Sequence, residues 1–206
     1  MRIGVRALNL GIKNKNVLIV GASKGIGKAI TLGFAEEEAN IVAIARSKEL
    51  MKEVKDESLN LGAPSFNIVI EDIMKCNTQD FAKSLLDKFG AFDIVVHNVG
   101  GSLISRNPLG SGDEWNYALK FNAVASIDMN SILIPPMFEK GWGRVIQISS
   151  ISAKMLRGNP LYASAKAFLN AYVESVGRAM APKGVVLSAV EPGAVVFEGS
   201  YWDNFI

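Results

Sequence analysis

Short runs of apolar residues alternate along the chain with longer stretches in which apolar positions recur every three or four residues. The short runs cover residues 17–20, 40–45, 66–70, 92–97, 144–149 and 185–190. The longer stretches read as helices over 27–39 (through Ile30, Phe34 and Ala35), 48–59, 78–89, 112–139 and 161–181. Strands this apolar are buried on both faces, which is the condition of a parallel sheet covered on both sides. Strand and helix in strict alternation predict an α/β fold: a Rossmann-type, doubly wound parallel sheet with helices on both faces. The pair Pro135–Pro136 lies late in the 112–139 pattern and is expected to bend or end that helix. No Pro- or Gly-rich linker and no internal repeat divides the 206 residues, so residues 1–206 read as a single domain with 1–12 as an N-terminal extension.

Composition narrows the function classes. Apolar residues make up 49% and charged residues 20%, and the net charge is only +2, dispersed along the chain. That charge gives no electrostatic footprint for nucleic acid. The longest apolar runs are strand-sized, so no membrane span is expected. The N-terminus is mildly basic without an apolar signal core, and the expectation is a cytoplasmic protein. One cysteine, Cys76, and one histidine, His97, allow no intramolecular disulfide and no usual metal-ligand set, so no metal is expected.

The first apolar run leads into Gly21-Ala22-Ser23-Lys24-Gly25-Ile26-Gly27 and then a helical pattern. Glycines between a first strand and a helix let the backbone turn sharply and come close to a pyrophosphate. The helix start offers free N–H groups and a positive dipole end to the same anion. The second run ends in Ile44-Ala45-Arg46-Ser47, with no acid to accept from a ribose 2′-hydroxyl. Arg46 can instead grip a phosphate, and Lys24 adds a second positive charge nearby. These residues predict NADP(H) as the preferred cofactor, with NAD(H) possible.

Tyr162 and Lys166, in Tyr162-Ala163-Ser164-Ala165-Lys166, are four apart and share one face of a helix. A phenol is a poor proton donor at neutral pH, and a neighbouring ammonium favours its phenolate. Such a pair can pass a proton to or from a carbonyl oxygen. Asn122 lies inside an apolar helical pattern, where asparagine is a poor helix former and needs a hydrogen-bonding partner.

The spacing Gly-x-x-x-Gly-x-Gly, followed by His97-Asn98-Val99-Gly100, Trp115 with Asn122, Ser149-Ser150, Tyr162 with Lys166 and Pro192-Gly193, resembles the short-chain dehydrogenase/reductase family. The resemblance runs from about Leu8 to the C-terminus. Val20 stands for the usual threonine before the glycine loop, and His97 and Val99 replace an asparagine and an alanine of the Asn-Asn-Ala-Gly motif. The resemblance implies that Gly21, Ser23, Lys24, Gly25, Ile26, Gly27, Arg46, Asp72, Asn98, Gly100, Tyr162, Lys166, Pro192 and Gly193 hold the dinucleotide. Asp72 would bond the adenine and Lys166 the nicotinamide ribose. It implies Asn122, Ser150, Tyr162 and Lys166 as the catalytic set, with Asn122 at a proton relay and a serine orienting the substrate oxygen. Counted back from Tyr162, Ser149 has the family's spacing; aligned outward from the strand, Ser150 matches, and Ser150 is preferred because loops absorb deletions more readily than strand registers. His97 is expected to be structural, near the adenosine side of the cofactor.

The implied activity is hydride transfer between the nicotinamide and a small-molecule carbonyl or secondary alcohol. The resemblance also implies a homodimer or homotetramer, with Ala163, Ala167, Ala171, Phe168 and Tyr172 on a face that serves either the dimer or packing within the chain. Family members carry a substrate cap and a last strand after Pro-Gly; residues 201–205 read as the start of that cap, so the chain reads as C-terminally truncated. Phe197 falls about where a cofactor-contacting threonine is usual. The alternative reading is a truncated, catalytically impaired cofactor-binding or assembly protein. A hydrolase built on Ser150 has no base, since the only histidine lies elsewhere in the sequence.

Overall fold

The computed structural model describes residues 9–102, 107–156 and 158–197. Most of the N-terminal extension and the aromatic segment 201–205 lie outside the described residues. Six strands form one parallel sheet: β1 (Asn16–Val20), β2 (Asn40–Ala45), β3 (Ser65–Ile70), β4 (Ile94–His97), β5 (Gly143–Ile148) and β6 (Val185–Val190). Their order is β3-β2-β1-β4-β5-β6, the doubly wound arrangement that the alternation predicts.

The side chains of each strand divide between two cores, as a period of two requires. Val17, Ile19, Ile41, Ala43, Ile94 and Val96 pack with Ala35 of α1 (Gly25–Glu36) and with Met51 and Val54 of α2 (Lys48–Leu61). Leu18, Val20, Val42, Ile44, Val95 and Val145 pack on the opposite face, under α3 (Thr78–Phe89) and the helices that follow β4. At the β6 edge the sheet presents Val186 and Val190, both over 40% exposed. Among the described residues no helix is long and apolar enough to cross a membrane.

The helix predicted over 112–139 is four pieces rather than one. α4 (Gly112–Leu119) runs into a π-helical turn, Lys120–Val124, then α5 (Ala125–Leu133) and α6 (Pro135–Lys140). Pro135 and Pro136 open α6, where a missing N–H costs little, and Gly141 ends it in the left-handed conformation. The π turn is centred on Asn122, whose amide donates back to the Ala118 carbonyl at 3.1 Å. One side chain thus satisfies a backbone acceptor that the wider turn disturbs.

After β5 the chain makes a single helical turn, α7 (Ser152–Met155), that the sequence pattern did not announce. α8 (Pro160–Met180) then starts on Asn159, whose side chain accepts from the N–H groups of Leu161 and Tyr162. An asparagine cap followed by proline fixes where the helix begins, and so fixes Tyr162 in its first turn. Of the face considered for assembly, Ala163 is buried and the Tyr172 hydroxyl accepts from Asn130 within the chain, whereas Phe168 and Ala171 are exposed.

Candidate active site

Strand order reverses between β1 and β4, and in such sheets the crevice at the carboxyl ends of those strands takes the ligand. Most of the sequence-predicted residues converge there. One cleft, of about 540 Å³, is lined by Gly21, Ser23, Lys24, Arg46, Asp72, Asn98 and Gly100, together with Ser47, Glu71, Val99 and Phe121. A second, of about 150 Å³, is lined by Ile26, Asn98, Gly100, Ser149, Ser150, Tyr162, Lys166, Pro192 and Gly193. Asn98 and Gly100 line both, so the two halves meet at the end of β4.

Hydrogen bonds between neighbouring strand ends hold the glycine loop. Gly21 N–H donates to the Ile44 carbonyl at 2.8 Å, and Asn98 Nδ2 donates to the Gly21 carbonyl at 2.8 Å. Gly27 has no room for a side chain: a Cβ there would fall 1.9 Å from the Gly21 carbonyl oxygen. That contact is the close helix–strand packing for which the last glycine of such loops is needed. α2, α3, α4 and α8 each begin on a capping side chain, namely Ser47, Asn77, Ser111 and Asn159. α1 begins without one, and its first turn carries no acid. Its N–H groups are therefore free of side-chain acceptors, as an anion site requires.

In the larger cleft Arg46 is exposed and follows the end of β2, and Lys24 lines the same cleft. Asp72 Oδ1 accepts from the Met74 N–H at 3.1 Å, which fixes the carboxylate at the wall of the larger cleft. In the smaller cleft Lys166 is 3% exposed and its Nζ donates to the Ile148 carbonyl at 2.8 Å. Burial lowers its pKa to about 8, so the ammonium persists at neutral pH and is lost just above it. Its Nζ lies 5.9 Å from the centroid of the Tyr162 ring. Ser150 Oγ accepts from the Ser152 N–H at 3.1 Å, while Ser149 Oγ reaches the Lys166 carbonyl at 3.5 Å. Both serines line the cleft, and Ser149 is directed to the backbone of α8.

Asn122 does not line either cleft. Its Oδ1 accepts from Gly101 N–H at 2.8 Å, and its Nδ2 donates to the Gly101 carbonyl at 3.2 Å. It thereby ties the loop after β4 to the π turn. Gly100, at φ +152°, separates Asn122 from the lysine: an added Cβ would lie 2.8 Å from Asn122 Oδ1 and 2.9 Å from Lys166 Nζ. His97 is the last residue of β4 and its ring lies away from both clefts. It is 3% exposed, with Nε2 2.9 Å from Asn130 Oδ1 on α5. Burial lowers its pKa to about 4, against a smaller opposing effect of the Asn130 bond.

Some contributors carried no sequence signal. The Ile148 carbonyl and the Gly101 N–H act through the backbone, where residue type is silent. Phe197 is different: its ring lies on Gly25, so that an added Cβ would come within 2.5 Å of Cζ. The clefts, the uncapped α1 and the glycine cradle fit a dinucleotide, and the Phe197 ring lies over one glycine of that cradle.

Comparison with known proteins agrees with this geometry. The sequence profile of the short chain dehydrogenases matches residues 15–199. An uncharacterized oxidoreductase of Staphylococcus epidermidis is 28% identical over 185 residues, which cover 89% of this chain and 79% of that protein. The crystal structure of L-sorbose reductase from Gluconobacter frateurii, complexed with NADPH and L-sorbose, is similar at a TM-score of 0.83 and 25% identity. It covers 96% of this chain and 81% of the reductase. An NADH-dependent reductase complexed with NAD is similar in fold, at a TM-score of 0.82 and 21% identity over 91% of this chain and 81% of its own.

Proposed function

The chain belongs to the short chain dehydrogenase family, and on that premise we propose that it is an NADP(H)-dependent oxidoreductase acting on a carbonyl compound or the corresponding secondary alcohol. The observation that carries this reading is the meeting of Ser150, Tyr162, Lys166, Pro192 and Gly193 in one cleft, continuous through Asn98 and Gly100 with the cleft of the glycine loop, Lys24 and Arg46.

When bound, the nicotinamide supplies or accepts the hydride. The chain's own residues handle the proton and the oxygen. The Tyr162 hydroxyl gives its proton to the substrate oxygen in reduction and takes one back in oxidation. The Lys166 ammonium, buried beside it, stabilises the phenolate left behind. The Ser150 hydroxyl donates to the oxygen on which charge develops. Asn122, through Gly101, holds the loop that separates it from Lys166, which is a positioning role. Gly21, Ser23, Gly25, Ile26 and Gly27 would hold the pyrophosphate, Asp72 the adenine, and Arg46 with Lys24 the 2′-phosphate. An L-sorbose reductase of similar fold and sequence binds NADPH, which supports the reading, while the NAD complex of a more distant fold relative makes Arg46 the residue to test.

Arg46→Asp is expected to weaken NADPH binding roughly 10- to 100-fold, the scale of one or two lost charge-assisted hydrogen bonds. NADH affinity should hold or improve, because the new carboxylate can accept from a ribose 2′-hydroxyl. Fluorescence titration with both dinucleotides reads the change. Equal weakening toward NADPH and NADH would remove Arg46 from the 2′-phosphate site.

A further inference from the structure

Phe197 reaches Gly25 on residues 191–197, which leave β6 without helix or strand structure and pass the catalytic cleft with Pro192 and Gly193. The start of this segment is anchored. Ile151 N–H donates to the Pro192 carbonyl at 3.1 Å. The Glu191 carboxylate accepts from Asn170 Nδ2 at 2.8 Å and pairs with Lys154 of α7 at 3.0 Å. Beyond Pro192 the segment lies on the surface: Val195, Val196 and Phe197 are each more than a third exposed.

The ring at the end of this strap sits against the first residue of α1. Gly25 is in the left-handed region at φ +51°, and three ring atoms of Phe197 lie within 2.9 Å of where its Cβ would be. No atom fits between ring and backbone. The bare side of a glycine in such a loop is the side on which a pyrophosphate comes close. A phenyl ring offers the uncapped N–H groups of α1 no strong acceptor, whereas a phosphate does.

We propose that Phe197 is a residue of the dinucleotide slot that holds it shut: the ring occupies the place of the pyrophosphate over Gly25, and binding swings residues 193–197 outward from the anchor at Glu191 and Pro192. The proposal rests on the dinucleotide reading above. It makes apparent affinity depend on the fraction of molecules with the strap displaced. It also separates the two halves of the cofactor, because the cleft of Arg46 and Asp72 is open while the pyrophosphate cradle is covered.

The test compares the unmodified protein with Phe197→Ala, using NADPH and adenosine 2′-phosphate, which lacks the pyrophosphate. NADPH is expected to bind the variant roughly tenfold more tightly, with adenosine 2′-phosphate bound equally by both. In rapid-mixing experiments the NADPH binding rate of the unmodified protein should level off with concentration, as displacement limits it, and that of the variant should keep rising. Unchanged or weaker NADPH binding by the variant, with adenosine 2′-phosphate still bound, would overturn the strap and leave the dinucleotide reading standing. Failure of both ligands to bind either protein would overturn that reading and the strap with it.

Discussion

Tyr162→Phe is expected to lower kcat for carbonyl reduction by roughly 10²- to 10⁴-fold, the range that a positioned general acid supplies. The substitution removes one oxygen and leaves the ring, its place in the first turn of α8 and the neighbouring Lys166 unchanged. NADPH affinity should therefore stay within about twofold of the unmodified protein. The helix start is set by Asn159 and Pro160, which the change does not touch, so loss of activity through misfolding is not expected. Initial rates and a dinucleotide titration on the same sample separate the two effects. A variant that binds NADPH and reduces substrate at the original rate would mean that the proton comes from elsewhere, and Ser150 would be the next donor to examine.

Acid should destabilise the protein through His97. An unfolded histidine titrates near 6.5, and burial lowers this one to about 4 in the folded chain. The unfolded state therefore binds the proton more readily than the native state. Stability is complete above about pH 6.5 and is lost as pH falls toward about 4, by about 3 kcal/mol in all from this group. The fold keeps the ring from water and gives it no carboxylate partner among the described residues: β1 and β5 flank it at Val20 and Gln147, and α5 covers it with Asn130. Urea unfolding at pH 7.5, 6.5, 5.5 and 5.0 should show the loss. His97→Asn should flatten the curve over that window, leaving the carboxylates to act at lower pH. An identical slope in the variant would place the acid sensitivity in other groups.

The histidine also shows where sequence and structure part. A sole histidine next to Asn98 invites an acid–base reading, yet the sequence favours a structural residue, and the buried ring bonded to Asn130 agrees with that. What the sequence did not give is the direction, since the resemblance put the position near the adenosine side and the ring turns under the sheet. Strand alternation decides this, because His97 shares the face of Val95 and not that of Val96. The parallel sheet, the glycine loop and the Tyr162–Lys166 pair were legible because each rests on a strong local signal: apolar runs, glycines after a strand, and a four-residue spacing on a helix. The strand order and the meeting of the two sites come from the fold. Helix interruption was not. The 112–139 pattern keeps its apolar period across the π turn, and the one sign of trouble is a polar residue, Asn122, in an apolar stretch. The single-turn α7 is too short to show a period. Backbone contributions such as the Ile148 carbonyl, which holds Lys166, leave no mark on residue choice. Phe197 did leave one, an aromatic where a small polar residue is usual, but only the fold shows that its ring covers Gly25.

In the function proposed, the crevice between β1 and β4 takes a dinucleotide with a 2′-phosphate. The most direct test is a titration of the purified protein with NADPH and with NADH, followed by nicotinamide fluorescence. Saturable binding of both is expected, with NADPH at least about tenfold tighter through Arg46 and Lys24. A folded sample that binds neither dinucleotide would contradict it.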